Sequence, residues 1–140
     1  MKLSITSNSR RVGAQVTAEG KKLSGNVQKA LSITAQSGIN IIQERTKKGL
    51  GYKDGKFKPY NKEYAAYRVK KGRGTLPNLE FERHMMSSIT SRADSEKAVI
   101  FFRGAENSGK AAMNEKKRPF FGFSRQEERK LSKIFFRALK

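Results

Sequence analysis

The chain of 140 residues contains no cysteine. That absence removes disulfide frameworks, thiolate metal sites and cysteine nucleophiles together. Histidine occurs once, at His84. A single imidazole cannot build a His-rich zinc centre or a two-histidine nuclease site unless subunits share ligands. Long apolar runs are missing as well. The longest is Ala98–Phe102, far short of the roughly 18 residues of a membrane span. Met1–Arg11 has no apolar stretch of signal-peptide length. The expectation is a soluble protein, cytoplasmic when made. Acidic residues are scarce, 12 Asp plus Glu against 31 Lys plus Arg.

The resulting net charge of +19 is far beyond what solubility requires of a small domain and implies an acidic or polyanionic partner. Residues 1–70 carry 15 basic and 4 acidic groups, and residues 71–140 carry 16 and 8. The charge is therefore distributed along the chain and is not a basic tail on a neutral body. The length fits one domain over 1–140. Apolar residues make up 36% of it, enough for a modest core.

Alternation of Leu3 and Ile5 with Lys2, Ser4 and Thr6 predicts a short strand. From about Ser9 to Lys48 the pattern is helical, in one or two pieces because Gly20 and Gly25 weaken the middle. Val27, Ala30, Leu31, Thr34, Ala35, Gly38, Ile41 and Ile42 form its apolar stripe, on which Ala35 and Gly38 permit a close neighbour. Arg45, Lys47 and Lys48 complement the helix dipole, and Gly49 suits the residue after the last turn. GLGYKDGKFKPYN (49–61) is a loop or irregular hairpin, with Asn61 capping a short helix that carries Tyr64, Tyr67 and Arg68. Lys70–Asn78 is a second loop, so 45–78 forms an insertion-like surface element. Leu79–Ile89 fits neither period over its full length. KAVIFFR (97–103) is the best strand, and Ser108–Lys117 a short helix. Arg118-Pro119 forces an extended approach to Phe120, Phe121, Gly122 and Phe123. Ser124 and Glu127 make a capping box before a final amphipathic helix with Leu131, Ile134, Phe135, Ala138 and Leu139 on one face. The fold class is α+β, a small antiparallel sheet packed against a long N-terminal and a C-terminal amphipathic helix.

Three groupings invite a chemical reading. Gly104–Ala111, GAENSGKA, matches the spacing of a phosphate-cradling loop. Ala111 stands where a magnesium-binding hydroxyl belongs and no later strand supplies an Asp, so Gly104 and Gly109 read as turn and helix-start residues. Asp94 with Glu115 and Lys117 has the residue types of a metal-dependent nuclease, but Glu115 sits in the polar run MNEKKR and reads as a solvated charge. A metal-free ribonuclease using Tyr, Lys, Arg and His84 leaves little signature. From Arg45 to Arg73 lie 11 basic and two acidic residues, interleaved with Tyr52, Phe57, Tyr60, Tyr64 and Tyr67. These aromatics are either stacking platforms for unpaired bases or packing residues of the loop.

Three segments stand out by order and spacing: GKFKPYNKEYAAYRVKKG (55–72) after the long helix, LPNLEFERHMMSSI (76–89) and KRPFFGFSRQEERKLSKIF (117–135). Together they resemble the small neck and tail-completion proteins of long-tailed bacteriophages, the virion morphogenesis group of head–tail connector and tail terminator-like components. The resemblance implies an α+β subunit of a homo-oligomeric ring, hexameric or dodecameric, at the head–tail junction. It would bind connector or portal and tail proteins, with possible contact to genomic DNA. It implies no enzyme activity, no cofactor, no metal and no membrane, and a location in the virion after assembly in the host cytoplasm. Arg118 would pair with a carboxylate, and the adjacent aromatics would anchor the last helix to the core or a neighbour. The interface candidates are Lys53, Lys56, Lys58, Tyr60, Lys70, Lys71, Arg73, Arg118, Phe120 and Phe121. The alternatives are a free-standing basic nucleic-acid-binding protein or a small nuclease.

Overall fold

The computed structural model describes residues 2–6, 17–53, 55–79 and 84–139, with the backbone alone at 6 and 17–24. The fold is α+β: strand β1 (Lys2–Thr6), helix α1 (Thr17–Lys47), helix α2 (Lys62–Lys70), the single turn α3 (His84–Ser87), strands β2 (Ile89–Ala93) and β3 (Lys97–Phe102), and helices α4 (Ala105–Lys117) and α5 (Arg125–Leu139). The part of the expected N-terminal helix from Ser9 to residue 16 lies outside the described residues.

The three strands form one antiparallel sheet in the order β1-β3-β2. The strand richest in β-branched and aromatic residues takes the middle, where both ladders are satisfied. Lys2 pairs with Phe101 and Thr6 with Lys97 on one side, and Ile89 pairs with Phe102 and Ala93 with Ala98 on the other. The β2–β3 turn is closed by Asp94, whose carboxylate accepts from the backbone N–H groups of Glu96 and Lys97 at 2.7 and 2.9 Å. These two bonds hold the Asp94 carboxyl below its ordinary value.

Pleating sends Ala98, Ile100 and Phe102 to the face covered by α1, where they join the main core. On the reverse face Phe101 lies under the Arg92 guanidinium, 5.5 Å from the ring centroid. Helix α1 buries Val27, Ala30, Leu31, Thr34, Ala35, Ile39 and Ile42 against the sheet and α5. Ile41 is half-buried and Ile39 replaces it in the core. Gly38 carries the close approach expected of it: a Cβ there would lie 2.8 Å from Phe123 Cζ and 3.2 Å from Ile100 Cδ1. The C-terminus of α1 closes as the sequence predicts. Gly49 has φ 73°, its N–H donates to Thr46 O, and Leu50 N–H donates back to Arg45 O.

Of the ambiguous Leu79–Ile89 stretch, 80–83 lie outside the described residues, and the remainder divides between structures of different period. Met85 and Met86 are buried on α3 before the chain turns into β2, which explains why neither helical nor strand spacing runs through it. Helix α4 starts three residues before the expected Ser108. Gly104, at φ 83°, is the turn residue before it, while Gly109 is mid-helix. Helix α5 begins on the expected capping box: Ser124 N donates to Glu127 Oε2 at 2.9 Å, and Glu127 N donates to Ser124 Oγ at 3.2 Å. Among the described residues, no helix is long and apolar enough to cross a membrane.

Candidate functional site

The segment 117–124 is held from three directions. Phe120 and Phe121 are buried with Phe102, their ring centroids 6.1 and 4.8 Å from its ring. The Glu115 carboxylate accepts from the N–H groups of both phenylalanines at 2.9 Å, and its other oxygen accepts from Tyr52 OH at 3.0 Å. Burial raises the Tyr52 phenol above its ordinary value, with the Glu115 hydrogen bond adding to the rise. From α1, Arg45 donates to Glu127 and to the carbonyls of Phe120 and Gly122. Gly122 is required because Tyr52 covers it, an added Cβ falling 2.5 Å from Tyr52 Cζ.

Arg118 points the other way. Its Nε donates to Lys58 O at 2.7 Å and its Nη2 to Pro59 O at 3.1 Å, with the guanidinium 4.6 Å from the centroid of Tyr60. The carboxylate partner expected of Arg118 is thus replaced by two backbone carbonyls and an aromatic ring. This arrangement roots an arm, residues 58–79, on the body. Within the arm, Asn61 Oδ1 accepts from Tyr64 N at 2.7 Å as the predicted cap. Arg68 donates to Gly74 O and Asn78 Oδ1 and lies 4.9 Å from the Tyr60 ring. Tyr60 and Tyr64 meet edge to face at 4.9 Å, and Tyr64 stacks on Tyr67 at 6.3 Å.

The only buried residue of α2 is Arg68. A helix normally buries an apolar stripe, and this one buries a cation that ties its own loop together. Its apolar groups face outward, Tyr67 47% and Val69 59% exposed, and Leu76 in the following loop is 51% exposed. Lys70, Lys71 and Arg73 are exposed beside them, as are Lys53, Lys56 and Lys58 nearer the root. Between the arm and α4 lies a groove of about 800 Å³ bordered by Tyr60, Tyr64, Lys110, Met113 and Lys117, with no carboxylate among its described lining residues.

These positions sort the interface candidates. Lys53, Lys56, Lys58, Lys70, Lys71 and Arg73 are exposed and Tyr60 is half-buried. Phe120 and Phe121 are corrected: at 0% and 4% exposure they belong to the subunit's own core. Arg118, at 9%, is a brace and not a contact surface. The aromatics of 45–73 take the packing role. Phe57 is buried, Tyr52 is hydrogen-bonded inward, and Tyr60, Tyr64 and Tyr67 pack on one another and on Arg68, with Tyr64 and Tyr67 keeping an exposed face.

The chemical groupings fare differently from one another. Residues 105–109 are helical, so the backbone N–H groups of GAENSGKA do not curl round a phosphate, and Lys110 pairs with Glu106 at 2.8 Å. Glu115 is the bracket described above and Asp94 closes a turn, so the expectation of a solvated Glu115 is corrected as firmly as the nuclease reading is weakened. Among the described residues no group of three His, Asp or Glu side chains is placed to hold a metal. Arg45 and Glu115 are what sequence reading missed. Arg45 lies among cations at a helix end, and Glu115 among charges before a proline, where solvation is the ordinary expectation. Comparison with protein-family models, with curated proteins and with solved structures gives no match.

Proposed function

We propose that this chain is a structural assembly subunit of a tailed bacteriophage. In this reading it works at the neck or tail-completion position, forms a closed ring, and binds connector and tail proteins. The observation that carries it is the arm: a helix whose single buried residue is an arginine, with Tyr67 and Val69 turned outward and Leu76 of the next loop half exposed. Ordering about twenty residues has a large entropic cost, and here it yields almost no core. Such an arm makes physical sense when its apolar and cationic tip is covered by another subunit or by a neighbouring ring. The +19 charge suits an acidic partner.

The resemblance of 117–135 to the neck and tail-completion group supports the same reading, because the residues that carry it are the ones that root the arm and dock the last helix. Arg118, Phe120, Phe121, Gly122, Ser124 and Glu127 each have a defined structural task. A subunit that must present a rigid arm at a fixed angle needs this kind of bracing. Virion and host-cytoplasmic locations follow from the proposal.

The test is electron microscopy of purified phage particles with this protein labelled. Label at the neck, closed rings of the purified protein or of its complex with the adjacent ring, and unjoined heads and tails in its absence are the expected results. Absence of the polypeptide from particles and from every assembly intermediate overturns the proposal. Cleavage of DNA or RNA that is lost on substituting the exposed Lys117 or His84 would instead establish the nuclease alternative.

A further inference from the structure

Helix α5 divides its residues by charge. Leu131 is buried, Ile134, Phe135, Ala138 and Leu139 are half-buried on the same side, and Glu127 turns inward to Arg45. Arg125, Arg129, Lys130, Lys133 and Arg137 are all exposed. At roughly 100° per residue these five cations fall within an arc of about 140°, nearly opposite Leu131. Neither carboxylate of the helix, Glu127 or Glu128, falls within that arc. Among the described residues none of the five has an ion-pair or hydrogen-bond partner through its side chain.

This arrangement disfavours the helix on its own. Arg125/Arg129, Arg129/Lys133 and Lys133/Arg137 are like charges at i,i+4, a spacing at which repulsion weakens a helix. A stripe of this kind becomes favourable when a polyanion lies along it. From Arg125 to Arg137 the stripe is about 18 Å long. Over that length a DNA duplex presents about ten phosphates.

We propose that the exposed face of α5 is a binding surface for the phosphate backbone of double-stranded DNA. The observations favour a duplex over other polyanions. Single strands are gripped by several stacking aromatics, whereas this face carries five cations and one exposed aromatic, Phe136, lying between Arg125 and Arg129 on the arc. A membrane surface would take the apolar face of an amphipathic helix, and that face is packed on α1. An acidic protein segment is matched by mixed apolar and charged contacts, whereas this stripe is a regular cation array without a groove. The inference does not depend on ring formation and stands if the neck assignment fails.

The experiment measures anisotropy of a fluorescent 30-base-pair mixed-sequence duplex with the full-length protein over a range of salt concentrations. The comparison is with R129Q/K133Q/R137Q and with an arm variant of equal charge, K62Q/K70Q/K71Q. Removing three phosphate contacts should lower the slope of log K against log salt by roughly 2.7 and weaken binding about a hundredfold near 0.1 M salt. The arm variant should keep a slope close to wild type. The three helix positions are exposed and their mutual repulsion is removed, so circular dichroism should match wild type and the thermal midpoint should be no lower; if it is lower, Lys133→Glu alone should still lower the slope by about 1. Equal losses in the helix and arm variants would overturn the proposal. So would equal competition by poly-glutamate of matching charge, or equal binding to phosphatidylserine vesicles.

Discussion

Arg45 and Glu127, 82 residues apart in sequence, meet at the start of α5, where one Glu127 oxygen accepts from both the Arg45 guanidinium and the Ser124 backbone N–H. The contact joins the end of the longest helix to the start of the last one. With the Phe120 and Gly122 carbonyls on the same guanidinium, it fixes the path of the chain between α4 and α5.

Replacing Arg45 with Met should therefore destabilise the protein by about 2–4 kcal/mol, since it strands a mostly buried carboxylate and two carbonyls. Arg45→Lys should recover less than half of the loss, because an ammonium cannot reproduce the planar fork. Urea unfolding of the three proteins checks this, and a lysine variant as stable as wild type would contradict it.

Glycine substitutions give a second test. A Cβ on Gly51 would lie 2.4 Å from Pro119 O, a backbone atom that cannot swing aside, whereas Gly74 has open space around it. Gly51→Ala should lower stability by about 1–3 kcal/mol, and Gly74→Ala should change it by less than about 0.5 kcal/mol. Equal thermal midpoints for the two variants would refute the close approach.

Much of this fold was legible beforehand, because it depends on local chemistry. Asn61, the Ser124–Glu127 box and Gly49 mark helix ends through hydrogen bonds made within a few residues, and the β3 run declares itself by composition. What eluded reading depends on distant partners. Glu115 reaches Tyr52 across 63 positions and Arg118 reaches Lys58 across 60. In sequence Glu115 looks like a solvated charge and Arg118 like the partner of a carboxylate, since nothing local reports the burial and the carbonyls they meet. Phe120 and Phe121 show the same limit: an aromatic run suits a core and an interface equally, and only packing decides.

The Tyr52 phenol offers a pH test. Its ionisation is raised because the fold favours the neutral form, by burial first and by the Glu115 hydrogen bond second. Its contribution to stability is therefore complete below the ordinary value of 10.0 and is lost as pH climbs through the higher folded value. Phenolate absorbance near 295 nm (an approximate wavelength), taken as wild type minus Tyr52→Phe, should show a midpoint above 10.0. A midpoint at or below that value would remove the argument.

The arm should loosen independently of the body. Arg68→Ala removes the bonds to Gly74 O and Asn78 Oδ1 and the contact with Tyr60. Amide exchange in 62–74 should accelerate by tenfold or more, the equivalent of about 1.4 kcal/mol, while the α1 and β3 amides keep their protection. Uniform acceleration across both regions would show that the arm is part of the global folding unit.

Sheet order has a consequence for how the chain is born. Lys2 pairs with Phe101, so β1 is synthesised about a hundred residues before the central strand that is its neighbour in the sheet. At a synthesis speed of about 5–20 residues per second that interval is roughly 5–20 s. Until β3 is made neither β1 nor β2 has its sheet partner, because β3 lies between them and carries both ladders.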